Sequence, residues 1–308
     1  MDIDLITNIL YAAIRTGTPL LLVALGEMIC EKSGVLNLGQ EGMMLLGAVA
    51  GFIAVYHTDS FMLGFVIAAL SGVLASLIFA FVALNLNATQ VATGLALTIF
   101  GTGLSAFIGS DYEGKTIEAL PTIGFEILQN IPLIGKALFA QDAMVYFSWF
   151  MVIGCYIFFR AHRAGLAVRA AGENPDVGSN LGLPVMKIRY LAVMFGGAMA
   201  GLAGGYLSIA YTPLWTENMT AGKGWIALAL VVFASWRIER VMLGAYLFGF
   251  ASIMHLFAQG LGISISSNLL AILPYAATLI VLVVLSRNSE KLKLFEPVAL
   301  GKPWHKTR

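Results

Sequence analysis

Residues 61–84 read Phe61-Met-Leu-Gly-Phe-Val-Ile-Ala-Ala-Leu-Ser-Gly-Val-Leu-Ala-Ser-Leu-Ile-Phe-Ala-Phe-Val-Ala-Leu84, without one charged side chain. At about 1.5 Å of rise per residue this run makes a helix of about 36 Å, enough to cross the roughly 30 Å hydrocarbon core of a bilayer. A helix that is apolar on every face belongs in lipid or in a large core. The length decides for lipid.

Similar runs extend outward from it at 5–29, 38–56, 90–109, 143–159, 188–211, 219–236, 241–258 and 267–286. The expected fold is therefore all-α: a polytopic membrane bundle of about nine transmembrane helices in a single domain, residues 1–308. The seventh run is the weakest, because its purely apolar part, 225–236, is too short to span. Composition agrees. The chain is 59% hydrophobic and 11% charged, where a soluble domain carries about a quarter charged residues. A net charge of +1 argues against a nucleic-acid partner and leaves membrane lipid as the surroundings. Cys30 and Cys155 sit in apolar or boundary positions, and the four histidines have no ligand spacing, so neither a disulfide framework nor a metal site is expected. The start, Met1-Asp2-Ile3-Asp4, lacks the basic region of a cleavable signal, so the first run is expected to stay as a helix.

Lys and Arg gather in cytoplasmic loops, which orients the bundle. With 161–187 placed in the cytoplasm, 14 of the 18 basic residues fall on that side. Lys115, Lys136 and Lys223 fall outside, and Arg15 lies within the first run. The amino terminus is then external, and the carboxyl-terminal tail 287–308 is cytoplasmic. A re-entrant seventh segment would reverse Arg237, Arg240 and the tail, against the charge rule.

Two connections are long. The external loop 110–142 is acidic, contains Pro121 and Pro132, and reads as a cap or short interfacial helix. In the cytoplasmic loop 161–187, Ala164 to Ala171 is rich in helix formers, and Gly172 and Pro175 stop it. A second short segment follows and closes on Gly182 and Pro184. Such a pair suits docking into a groove of another protein; the plain alternative is a basic loop that only fixes topology.

Three polar breaks interrupt the apolar pattern. The first, around Asn37, Gln40 and Glu41, holds three glycines, an Asn, a Gln and acids at a membrane boundary. Irregular backbone at membrane depth persists only when buried in protein or lining a wet cavity. In the second, Asn87, Gln90 and Gly94 fall at i, i+3 and i+7 on one helical face with Thr93 beside them. These neutral groups suit an uncharged polar solute; the alternative is hydrogen bonding between helices. The third contains Glu217 and Asn218 and can be laid over residues 36–42. Five spans separate the two starts, so they face opposite sides, as in an inverted-topology repeat. Gly197, Gly201 and Gly205 recur every four residues and read as close helix packing. Arg15 is alone in its span and could neutralise Glu27, Glu31 or Glu41. No span carries a paired acidic relay for ion coupling, and no phosphate-cradling Gly-x-x-x-x-Gly-Lys-Ser/Thr occurs.

These residues carry a resemblance. The stretch Ser33-Gly-Val-Leu-Asn-Leu-Gly-Gln-Glu-Gly-Met-Met-Leu-Leu-Gly-Ala48 resembles the signature of bacterial ABC-importer permeases of the branched-chain amino acid, ribose and nucleoside group. So does Gln90-Val-Ala-Thr-Gly-Leu-Ala-Leu-Thr98. The stretch Gly165-Leu-Ala-Val-Arg-Ala-Ala-Gly-Glu-Asn-Pro175, with Leu181-Gly-Leu-Pro184, looks like that group's ATPase-coupling loop. Met219-Thr-Ala-Gly-Lys-Gly-Trp-Ile-Ala-Leu-Ala229 is similar to its second-half motif. Within the group the chain is most like the shorter of two paired nucleoside or simple-sugar permeases. Arg237-Ile238-Glu239 departs from the pattern, where relatives usually carry an Asn-Pro-type turn.

The resemblance implies a transport subunit rather than an enzyme, in the bacterial inner membrane. Its implied partners are an ABC ATPase subunit, a second, longer permease and an extracytoplasmic binding protein or lipoprotein. It implies no cofactor in this chain, ATP and Mg being bound by the ATPase. It also makes Arg169, Ala170, Ala171, Gly172, Glu173, Asn174, Gly182 and Pro184 the coupling surface. Asn37, Gln40, Glu41, Asn87, Gln90, Thr93, Glu217 and Asn218 are the expected substrate path. A nucleoside is the first expectation for the solute; a simple sugar, a riboflavin-like molecule or an amino acid are alternatives. The competing class is an ion-coupled secondary carrier, which would work without ATP.

Overall fold

The computed structural model describes residues 3–260 except 125, 130 and 133, together with 272, 276 and 295–304. It is all-helical among the described residues, with two isolated bridges and no strand. The first half contains α1 (Ile3–Lys32), α2 (Gln40–Thr58), α3 (Phe61–Ala80) and α4 (Gln90–Gly109). Two short helices, α5 (Glu126–Gln129) and α6 (Gly135–Phe139), lie in the long loop, followed by α7 (Ala143–Ala161). The loop 161–187 folds as α8 (Arg163–Glu173) and α9 (Pro175–Asn180). The second half continues as α10 (Val185–Tyr206), α11 (Lys223–Phe233) and α12 (Ile238–Gly260).

Among the described residues six helices are long and apolar enough to cross a membrane, those beginning at Asp4, Gln40, Phe61, Gln90, Ala143 and Val185. The expected span 241–258 lies within α12. The expected span 267–286 falls outside the described residues except for 272 and 276. The expectation at 219–236 is corrected: only 11 residues are helical there, about 16 Å, too short to cross. The crossing is completed by non-helical chain. Leu214 bridges to Thr116 in the loop 110–142, whereas Arg237, beyond α11, lines a cavity with Lys32, Arg160 and Arg169. Residues 214 and 237 therefore lie at opposite ends of the bundle, and the topology keeps its parity.

Local chemistry sets the ends. Asp142 caps α7, its Oδ1 accepting from the backbone N of Met144 and Val145 at 3.0 and 3.1 Å. Asn174 caps α9, accepting from Val177 N at 3.0 Å, with Pro175 at the first helical position.

The centre is α1 and α10, packed directly on each other with most of their apolar residues buried, α11 lying against α1 and α2 against α10. Helices α3, α4 and α7 turn residues such as Leu70, Ile99, Phe107 and Phe150 outward, as a lipid-facing layer does. Two crossings hold the layers. On α1, Ala13 and Gly17 lie directly against Ala245 and Gly249 of α12. On α3, Ala68 and Gly72 lie directly against Gly197 and Gly201 of α10. Each crossing sets two small residues four apart against two small residues four apart, which lets the backbones touch. Exchanging α1 with α10 and α12 with α3 maps one crossing onto the other, and α1–α11 contact onto α10–α2 contact. An internal repeat produces this neighbour pattern.

Candidate functional site

The α1–α2 break, residues 33–39, is held inside the bundle by side chains that replace the missing helical bonds. The Glu27 carboxylate, fully buried on α1, accepts from the backbone N of Asn37 at 3.0 Å and from Nε2 of Gln40. Asn37 Oδ1 accepts from Gly39 N at 3.0 Å. Gln90 Oε1, at the first residue of α4, accepts from Leu36 N at 2.8 Å, and the Thr98 hydroxyl donates to Leu38 O at 3.1 Å. This is the protected setting that irregular backbone at membrane depth requires. Asn37, Gln40 and Gln90 are thus brought together, but as buried members of a scaffold. Gln40 Oε1 and Gln90 Nε2 alone in this group are left without a hydrogen-bond partner.

Glu41 joins the two halves. Its Oε1 accepts from the Thr220 hydroxyl at 2.5 Å and from Gly222 N at 2.7 Å, and its Oε2 accepts from Gly224 N at 2.6 Å. Gly222 is the residue before α11 and Gly224 lies in its first turn, so the carboxylate seats on the positive end of that helix. Glu41 itself stands in the first turn of α2. One charge therefore serves two helix starts. Gly222 takes a left-handed φ of 80°, which aims its N–H inward with no Cβ penalty.

The remaining path residues are elsewhere. Asn87 was expected on one face with Gln90; instead it stands before α4 with a left-handed φ of 58°, exposed, its Nδ2 donating to Asn85 O at 3.3 Å. Thr93 is half-buried on α4 and donates back to Thr89 O at 3.0 Å. Glu217 and Asn218 are exposed in the entry to α11, Asn218 with φ 55°.

Arg15 corrects a second expectation. It meets none of Glu27, Glu31 or Glu41. Its Nε lies 3.4 Å from Asp142 Oδ2, and its Nη2 donates to Ala210 O at 2.8 Å. Tyr206 also donates to Asp142 Oδ2, at 3.1 Å. Sequence reasoning names Glu27 and Glu31 only as partners for Arg15 and misses Asp142, a single acid at the start of an apolar run.

At the other end, α8 sits on the break. Gly172 packs so closely that an added Cβ would meet the Lys32 carbonyl and Gly34 N. Ala171 and Gly172 are buried; Arg169, Glu173, Asn174, Gly182 and Pro184 are exposed, and Ala170 is half-buried. Beside α8 a cavity of about 520 Å³ is lined by Lys32, Arg160, Arg169, Glu173, Arg237 and Glu239 among others. Arg169 and Lys32 both lie 5.5 Å from the Phe159 ring centre. Just within it, Trp236 Nε1 donates to the buried Glu31 carboxylate.

Residues 9–285 match the family described as "Branched-chain amino acid transport system / permease component". The chain belongs to this family. TsgC13 of Haloferax volcanii, a permease protein named for glucose ABC transport, is 38% identical over 97% of this permease and 98% of its own length. The nucleoside ABC transporter permease protein NupC of Lactococcus lactis is 32% identical over 86% and 88%. The guanosine ABC transporter permease protein NupQ of Bacillus subtilis is 31% identical over 92% and 93%. The permease is thus a multi-pass membrane transport subunit, not itself an enzyme, of a kind that works with an ATPase and a substrate-binding partner.

Proposed function

We propose that this permease is one of two membrane subunits of an ATP-driven importer in the bacterial inner membrane, moving an uncharged polar solute of the nucleoside or simple-sugar class. The end carrying α8 and α9 is cytoplasmic by the distribution of Lys and Arg, so the amino terminus is external and the carboxyl terminus cytoplasmic. ATP and Mg are bound by the ATPase partner, which grips Arg169, Ala170, Glu173, Asn174, Gly182 and Pro184. The buried pair Ala171 and Gly172 passes the push to the break.

The observation that carries this reading is the seat of Gly172 against the Lys32 carbonyl and Gly34. A docking helix in backbone contact with the α1–α2 break can bias the bundle between outward and inward states without a further part. The exposed Asn87, Glu217 and Asn218 and the half-buried Thr93 line the passage against the second, longer permease. Asn37, Gln40, Glu41 and Gln90 hold the break that shapes it. A binding protein or lipoprotein delivers the solute over residues 110–142.

A nucleoside is the first choice, supported by the likeness to NupC and NupQ. A hexose is the second reading, supported by TsgC13. Proteoliposomes holding both permeases, the ATPase and the binding protein should take up labelled guanosine or glucose only with internal ATP and Mg. Uptake driven by an ion gradient alone would overturn the proposal. Leu181, 79% exposed after α9, offers the docking test: Leu181→Asp should release the ATPase from the purified complex.

A further inference from the structure

Beyond α9 the partner-facing end contains one more described element, residues 295–304, which the sequence reading treated only as part of a basic tail. It is fastened at three points. Ala299 N donates to Gly172 O on α8 at 2.9 Å. Gly301 N donates to Gly34 O in the α1–α2 break at 3.2 Å. Trp304 Nε1 donates to Asp176 Oδ1 on α9 at 2.8 Å. Pro297 and Ala299 are buried beneath it, while Val298, Lys302 and Pro303 face outward. Gly301 has a left-handed φ of 72°, the conformation that presents its N–H at this bend.

The two docking helices differ in how they reach the break. Helix α8 touches it directly at Gly172. Helix α9, which carries the exposed Val177 and leads into Leu181, packs on α8 and α10 and meets the break through Trp304 and Gly301. The break itself is also fixed by Arg189, whose Nε donates to Ser33 O at 3.2 Å. A displacement of α9 is therefore delivered to Gly34 at a point already anchored to α10.

We propose that residues 297–304 are a second transmission element, carrying movement of α9 to the α1–α2 break in parallel with the direct contact of α8. This rests on the reading of α8–α9 as the ATPase-docking pair. The strip adds Val298 and Lys302 to the surface the ATPase meets, but its distinctive role is in the ratio of solute moved to ATP spent.

The test uses the full assembled transporter in proteoliposomes. Trp304→Phe keeps an aromatic ring and removes the donor; Asp176→Leu removes the acceptor; Asp176→Asn keeps an acceptor. The expected result is that Trp304→Phe and Asp176→Leu retain the ATPase on purification and hydrolyse ATP, yet move roughly threefold less solute per ATP. Asp176→Asn should stay near the unaltered ratio. An unchanged ratio in both Trp304→Phe and Asp176→Leu overturns the proposal. So does loss of the ATPase from these two variants, which would make the strip an assembly contact only. Failure of the docking reading is recognised separately, by Leu181→Asp leaving the ATPase bound.

Discussion

The Glu41 carboxylate and the Thr220 hydroxyl, 179 residues apart, meet at 2.5 Å inside the bundle. With the Gly222 and Gly224 amides this gives one buried charge three donors from the second half of the chain. Hydrogen bonds to a charged group contribute about 1.5–3 kcal/mol each, and the N–H groups would be left unpaired without it. Glu41→Ala should lower the stability of the purified permease by about 3 kcal/mol or more. Glu41→Gln, which keeps an acceptor, should fall between the two. Thermal unfolding of the detergent-solubilised complex measures this, and equal melting temperatures for all three proteins would refute it.

Much of this arrangement was legible in the sequence, but not its partners. The apolar runs predict α1–α4, α7, α10 and α12, because length and hydrophobicity alone decide whether a helix crosses lipid. The Gly-Asn-Glu wording of 33–42 and 216–224 marked both breaks. Which carboxylate meets which donor depends on pairs such as Glu31 and Trp236, 205 residues apart, for which one chain offers no local signal. Two glycine amides flanking Lys223 are a nest for an anion, and that spacing could have pointed to a buried acid. Asn87 escaped the helical-face argument because its left-handed backbone ends the periodicity before α4 begins.

The close crossings give a second prediction. At Gly72 and Gly201 an added Cβ would run into backbone of the facing helix, which no side-chain rearrangement relieves. Gly201→Val should prevent accumulation of folded permease. Gly103 on α4 has nothing within 4 Å, so Gly103→Ala should be neutral or stabilising by about 1 kcal/mol. Membrane yield and size-exclusion profile distinguish the two. A normal profile for Gly201→Val would mean that the helices do not touch there.

Arg15 and Asp142 form a pair whose acid is fully buried. Removing Arg15 leaves Asp142 with Tyr206 and the two cap amides but without its opposite charge. Arg15→Met should destabilise by about 3 kcal/mol, the usual result of orphaning a buried charge. The double variant Arg15→Met with Asp142→Asn should recover part of that loss, because the uncompensated charge is gone. Strict additivity of the two single changes in thermal unfolding would show that the pair does not interact.

Trp236 directly precedes Arg237-Ile238-Glu239, the stretch whose sequence departs from the family pattern, and the structure gives Trp236 a specific duty. Ser235 and Trp236 both adopt left-handed backbone, with φ of 51° and 53°, a conformation costing roughly 1 kcal/mol or more for each non-glycine residue. This geometry delivers the indole N–H to the buried Glu31 carboxylate at the end of α1, beside the cavity that α8 borders. Trp236→Phe keeps the ring and removes the donor, leaving a buried Glu31 oxygen without it. The expected loss is about 1–3 kcal/mol of stability. Adding Glu31→Gln to Trp236→Phe replaces the buried carboxyl with a neutral amide and should restore part of it. If Trp236→Phe alone melts with the unaltered permease, the indole bond is not what holds the α11–α12 turn against α1.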